Sequence, residues 1–91
     1  MAQDSERERG PYDNEIAEAL YQTRMLVIAE LARRAGIERP LLSRIVNGWS
    51  LPSAEQLEAI IAATGWTDEQ LYPVKEFRDA IEATRRATEP A

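Results

Sequence analysis

The run Leu31-Ala32-Arg33-Arg34-Ala35-Gly36-Ile37-Glu38-Arg39-Pro40-Leu41-Leu42-Ser43-Arg44-Ile45-Val46-Asn47-Gly48 decides the fold. Gly36 follows helix-forming residues where a C-cap is expected, because glycine takes the left-handed conformation at no steric cost. Ile37 is then an apolar residue just ahead of a second helix. Glu38 is a mediocre N-cap for it, and Pro40 sits in its first turn, where a missing N–H costs nothing. This helix is expected from Glu38 to about Val46, ending at Asn47-Gly48, a pair suited to positive φ. With Arg39 at 0° on a helical wheel, Ser43, Asn47, Pro40 and Arg44 fall at about 40°, 80°, 100° and 140°. Leu41, Ile45, Leu42 and Val46 fall at about 200°, 240°, 300° and 340°. One side is aliphatic and must be buried. The other offers two guanidiniums, a hydroxyl and an amide, which suit base edges and phosphates.

Outward from this stretch, Asn14 to Ala35 is helical with an internal conflict. Ile16, Leu20, Thr23, Val27 and Leu31 share a stripe, but Met25, Leu26 and Ile28 fall off it. A break near residues 24–26 lets those three turn inward, so two helices are expected, although no glycine, proline or clear cap marks the break. On the other side, Ser53 and Gln56 form a capping box for a helix whose inner face is Leu57, Ile60, Ile61 and Thr64, ended by Gly65. Thr67 and Gln70 repeat the box for a short helix through Leu71-Tyr72, closed by Pro73. Val74, Phe77, Ala80, Ile81 and Thr84 make a last apolar stripe with alternating charges opposite. Residues 1–13 are polar and read as a flexible charged arm. The expected division is an arm at 1–13, a helical domain at 14–73, and a C-terminal helix and tail at 74–91.

Ninety-one residues suffice for one domain with a modest core. The absence of cysteine and histidine excludes disulfides, thiolate or imidazole metal sites and histidine-based triads. No cofactor or metal is expected. No apolar run is longer than Met25 to Ala29, which is far too short to span a membrane, and the charged N-terminus is unlike a signal peptide. A cytoplasmic protein is expected. The net charge of −5 is unevenly spread. Thr23 to Ser50 holds Arg24, Arg33, Arg34, Arg39 and Arg44 against Glu30 and Glu38, while both flanks are acidic. The acidic ends are either plain solvated charge or a means of lowering non-specific attraction to phosphates.

The residues Leu31 to Ile37, then Leu42-Ser43-Arg44-Ile45-Val46-Asn47-Gly48, then Pro52 and Leu57, resemble the lambda-repressor/Cro (XRE-type) helix-turn-helix family. The resemblance covers about residues 16–72. It implies an all-α fold, a five-helix lambda-repressor-like helix-turn-helix domain, followed here by a short C-terminal amphipathic helix. It implies a helix over 38–47 in the major groove of operator DNA, with Arg39, Pro40, Ser43, Arg44 and Asn47 meeting bases. Family members commonly act as homodimeric repressors, phage regulators or antitoxins. In the family the second helix usually opens with a Ser or Thr cap and a phosphate-binding Gln; here Val27 and Ile28 stand there. Grip on the DNA backbone then falls to Arg24, Arg33, Arg34 or Ser50, or the apolar pair meets a protein partner.

Several residues carry two readings. Val74, Phe77, Ile81 and Thr84 either form a dimer contact or pack on the domain's own core. Trp49 either packs on the fourth helix or touches a DNA sugar or a partner, whereas Trp66 is expected to anchor the core. Leu41 is either buried or touches thymine methyls. Two functions compete: a sequence-specific transcriptional regulator, and a protein-interaction module on the same scaffold, such as an antitoxin or a DNA mimic. An enzyme is not expected, since the paired Asp68-Glu69 sits in a first helical turn, where carboxylates favour the helix dipole.

Overall fold

The structure, a computed structural model, describes residues 9–25 and 27–88. Among them are six helices and no strand: α1 (Ile16–Gln22), α2 (Ile28–Ala35), α3 (Arg39–Val46), α4 (Ala54–Thr64), α5 (Asp68–Leu71) and α6 (Lys75–Thr88). The class is all-α, as expected. Leu26, one of the three residues expected to turn inward, lies outside the described residues, as do 1–8 and 89–91.

Three of the helices end in the same way. After α2, Gly36 is left-handed (φ 70°), and the N–H groups of Gly36 and Ile37 both bond the Ala32 carbonyl. After α3, Gly48 has φ 84° and the Trp49 N–H reaches back five residues to Arg44 O at 2.8 Å. After α1, the same five-residue reach joins Met25 N–H to Leu20 O at 2.9 Å, but the left-handed residue is Arg24, at φ 66°. This termination satisfies carbonyls that the helix itself leaves unpaired. It also confirms the break expected near residues 24–26 and buries Met25. Both expected capping boxes are formed: Ser53 with Gln56 opens α4, and Thr67 with Gln70 opens α5.

The core gathers one face from every helix: Ile16, Ala19 and Leu20; Leu31 and Ala32; Leu42, Ile45 and Val46; Leu57 and Ile60; Leu71; and Ile81. Helix α2 packs on α3 and α4, and α6 packs on α4 and α5. Each buried aliphatic side chain contributes about 1.5–3 kcal/mol, so α3 is held by three such residues on one side.

Two stretches near the ends of the described chain pack against the rest of the domain. Residues 9–13 do not belong to a loose arm. Gly10 N–H bonds Asn47 O (2.8 Å), Tyr12 N–H bonds Gly48 O (3.0 Å), and the Tyr12 ring meets Phe77 edge-on at 5.4 Å. The approach is so close that a Cβ on Gly10 would stand 2.2 Å from the Gly48 carbonyl oxygen, which only glycine permits. Of the expected arm 1–13, residues 1–8 lie outside the described residues. The C-terminal stripe likewise turns on its own monomer. Ile81 is 2% exposed, Phe77 is half-buried, and the Thr84 hydroxyl accepts from Ala54 N–H (2.7 Å) while donating to Ile81 O (2.6 Å). Of the four residues considered for a dimer contact, only Val74 is exposed. The amide at the start of α4 needed a partner, and Thr84 is it.

Tyr72 is fully buried at the end of α5, and its hydroxyl has no hydrogen-bond partner among the described residues. Burial pushes its phenol pKa well up. An unsatisfied buried hydroxyl costs about 1–3 kcal/mol, so Tyr72→Phe is expected to raise stability by about 1 kcal/mol in urea denaturation. The unfolded phenol ionises near pH 10 and the folded one does not. Wild-type stability therefore falls above that pH by up to about 1.4 kcal/mol per unit, and Tyr72→Phe is expected to lack this component.

Candidate functional site

Because α3 buries Leu42, Ile45 and Val46, its opposite side must face outward. Arg39, Pro40, Arg44 and Asn47 are exposed and Ser43 is half-buried. Leu41 is half-buried, so the boundary between the faces passes through it. The first turn opens without a side-chain cap at Glu38, and Pro40 lies within it. The polar side chains touch one another only loosely. Arg44 Nε stands 3.4 Å from Ser50 Oγ, and Asn47 Nδ2 stands 3.4 Å from Ser43 Oγ. Contacts that long are weak hydrogen bonds and are readily exchanged for a ligand.

The other end of α3 is fixed firmly. Asn14 is buried and donates from Nδ2 to Ile45 O (3.0 Å) and more weakly to Val46 O (3.4 Å). Its Oδ1 accepts from Ile16 N–H at 2.9 Å, so the same amide starts α1 and ends α3. With Gly10 on Asn47 O and Tyr12 on Gly48 O, the segment before α1 satisfies the carbonyls that α3 leaves open. Sequence reasoning missed all three residues. The Gly10-Pro11 pair was visible only as a turn signal, and nothing local marks Asn14 as buried.

The basic residues fall into two groups. Arg33 and Arg34 both reach Glu30 at 2.8 Å, Lys75 pairs with Asp79, and Arg85 pairs with Glu58 and Glu82. Arg78 caps the end of α5 through Tyr72 O and Pro73 O. Arg9, Arg24, Arg39 and Arg44 are exposed and have no carboxylate partner among the described residues. The candidate backbone cations thus differ in kind: Arg24 is bare, whereas Arg33 and Arg34 share one glutamate. Exposed pairs of that sort are worth about 0–1 kcal/mol and give way easily.

Beside α3, Ile28 from the first turn of α2 joins Arg39, Pro40 and Ser43 around an open hollow of about 480 Å³. Val27, the residue before α2, is 61% exposed, and Tyr21 on α1 is 70% exposed. Trp49 keeps 45% of its surface exposed, while Trp66 packs against the core. Among the described residues no group of three or more acidic side chains could hold a metal ion, and no helix is long and apolar enough to cross a membrane. In comparisons with known proteins, no family model, curated sequence or solved structure matches the chain.

Three substitutions test how the site is held. A non-glycine residue in the left-handed region costs about 1 kcal/mol or more. Arg24→Gly is therefore expected to raise stability by about 0.5–1 kcal/mol, measured by thermal or urea unfolding. Asn14→Ala is expected to lower it by about 2 kcal/mol, since both a buried donor and an acceptor are lost. Asn14→Asp should be at least as costly, because it keeps the acceptor for Ile16 N–H but sets an anion against the carbonyls of Ile45 and Val46.

Proposed function

We propose that the chain is a sequence-specific DNA-binding transcriptional regulator of the lambda-repressor/Cro type, of phage or mobile-element kind, reading its operator with α3 in the major groove. The observation that carries this is the outward side of α3. It presents Arg39 and Arg44 without a carboxylate partner among the described residues, on a chain of net charge −5. A guanidinium can grip O6 and N7 of guanine bidentately and an asparagine amide can do the same on adenine. The left-handed Gly36 turn and buried Ile37 support reading α2 and α3 as a helix-turn-helix.

In this reading Arg39, Pro40, Ser43, Arg44 and Asn47 face bases, and Arg24, Arg33, Arg34 and Ser50 face phosphates. Arg24 is the strongest of the backbone contacts because it has no charge to give up. One reading helix buries too little surface for tight specific binding, so a homodimer on a two-fold operator follows. Its interface involves neither Ile81 nor Thr84, and exposed Tyr21, Val27 and Val74 are available for it. No catalytic chemistry or cofactor is invoked: Asp68 and Glu69 sit at the start of α5, where Glu69 N–H bonds Asp68 Oδ1. Such a regulator works in the cytoplasm, beside the DNA it controls. A protein-binding module on the same scaffold, an antitoxin or a DNA mimic, is the second reading, favoured by the exposure of Tyr21 and Val27.

Selection from a random duplex pool followed by a salt series separates the two. A dimer neutralising about six phosphates is expected to show a log–log salt slope of roughly −5. Arg39→Ala and Arg44→Ala should each cost about 1–3 kcal/mol and relax preference at one base position. Arg24→Gly should instead weaken all sequences alike. Failure to enrich any sequence, with no salt dependence, overturns the DNA reading and leaves the protein-binding one.

A further inference from the structure

The hollow beside α3 has a mixed lining that bears on which base step is read. Ile28 and Pro40 give it two hydrocarbon walls, while Arg39 and Ser43 bring a guanidinium and a hydroxyl. A phosphate would find donors at only two of the four lining side chains, Arg39 and Ser43. Ile28 has no side-chain donor, and Pro40 lacks the backbone N–H that the first turn of a helix normally offers to an anion. A purely apolar occupant is a poor match, because Arg39 is exposed and has no carboxylate partner among the described residues.

In the major groove, the feature that joins an apolar knob to hydrogen-bond acceptors is the thymine edge, with its C5 methyl next to O4. We infer that Ile28 and Pro40 form a receptor for a thymine methyl group, next to the guanine gripped by Arg39, so that the protein selects a thymine–guanine step. This deepens the DNA reading of α3 proposed above and rests on it. Ile28, from α2, is then a specificity-determining residue outside the reading helix. The hollow is larger than a methyl group and admits the whole C5–O4 edge. The Ser43 hydroxyl, on the same lining, can donate to O4.

The test uses the full chain and duplexes taken from the random-pool selection, with each thymine replaced in turn by deoxyuridine, which removes only the methyl. One position beside the guanine that responds to Arg39→Ala is expected to lose about fourfold in affinity per half-site, the factor that matches one buried methyl-sized group. Ile28→Ala, checked for an unchanged fold by circular dichroism and thermal melting, is expected to bind the thymine and deoxyuridine duplexes equally. Arg39→Ala should weaken both while keeping their ratio. Equal binding of the two duplexes by the wild type, enriched sites lacking thymine beside that guanine, or a thymine preference that survives Ile28→Ala would each overturn the inference while leaving DNA binding intact. If no sequence is enriched at all, both the inference and the reading of α3 fall together.

Discussion

An eight-residue helix leaves as many backbone groups unpaired at its ends as it pairs within, and α3 lives under that constraint. Every carbonyl from Ser43 to Gly48 has a partner. Asn47 N–H takes Ser43 O, Trp49 N–H takes Arg44 O, and Gly48 N–H shares Ile45 O with the Asn14 amide. Asn14 also reaches Val46 O, while Gly10 and Tyr12 take Asn47 O and Gly48 O. Four of those seven hydrogen bonds come from the segment before α1, more than thirty residues away along the chain. The buried faces of Leu42, Ile45 and Val46 fix which way α3 is rolled, and these hydrogen bonds fix where it stops. Its polar side is thereby presented without contributing to its own retention.

That division explains what could be read from the sequence. Terminations that use glycine, at Gly36 and Gly48, were legible because the conformational requirement is written in the residue type. The capping boxes at Ser53 and Thr67 were legible because both partners lie within one turn. The break after α1 was legible only from the displaced hydrophobic residues, since Arg24 occupies the left-handed place that glycine usually takes. The roles of Gly10, Tyr12 and Asn14 were not legible. A buried polar side chain is defined by what the distant chain leaves unsatisfied, and no local pattern encodes it. The same holds for the C-terminal stripe. Its periodicity announced an apolar face, but whether that face met a second copy or the same core depended on an orphan amide at Ala54 that Thr84 satisfies.

The outward side of α3 was legible for the opposite reason. Helical spacing alone separates Arg39, Ser43, Arg44 and Asn47 from the aliphatic residues, and burial of the latter leaves the former no other direction. What the wheel could not supply was the neighbourhood. Ile28 arrives beside Pro40 only because α2 packs on α3, and Arg33 and Arg34 lose part of their charge to Glu30 one helical turn back.

Net charge is a poor guide to such a molecule, and pairing shows why. Two of the four cations of the C-terminal half, Lys75 and Arg85, are matched by Asp79, Glu58 and Glu82, so the fields of those two largely cancel at a distance. Over a screening length of about 8 Å at physiological salt, a ligand approaching α3 senses the nearest uncompensated groups rather than the chain total. Arg39 and Arg44 have no carboxylate partner among the described residues, and no acidic residue lies within α3 itself. An acidic chain can therefore offer a cationic strip. Its acidic remainder then weakens attraction to a polyanion everywhere else on the surface, so the strip is where encounter is favoured. On the DNA reading proposed above, sequence discrimination is then left to hydrogen bonds and apolar contacts rather than to bulk charge.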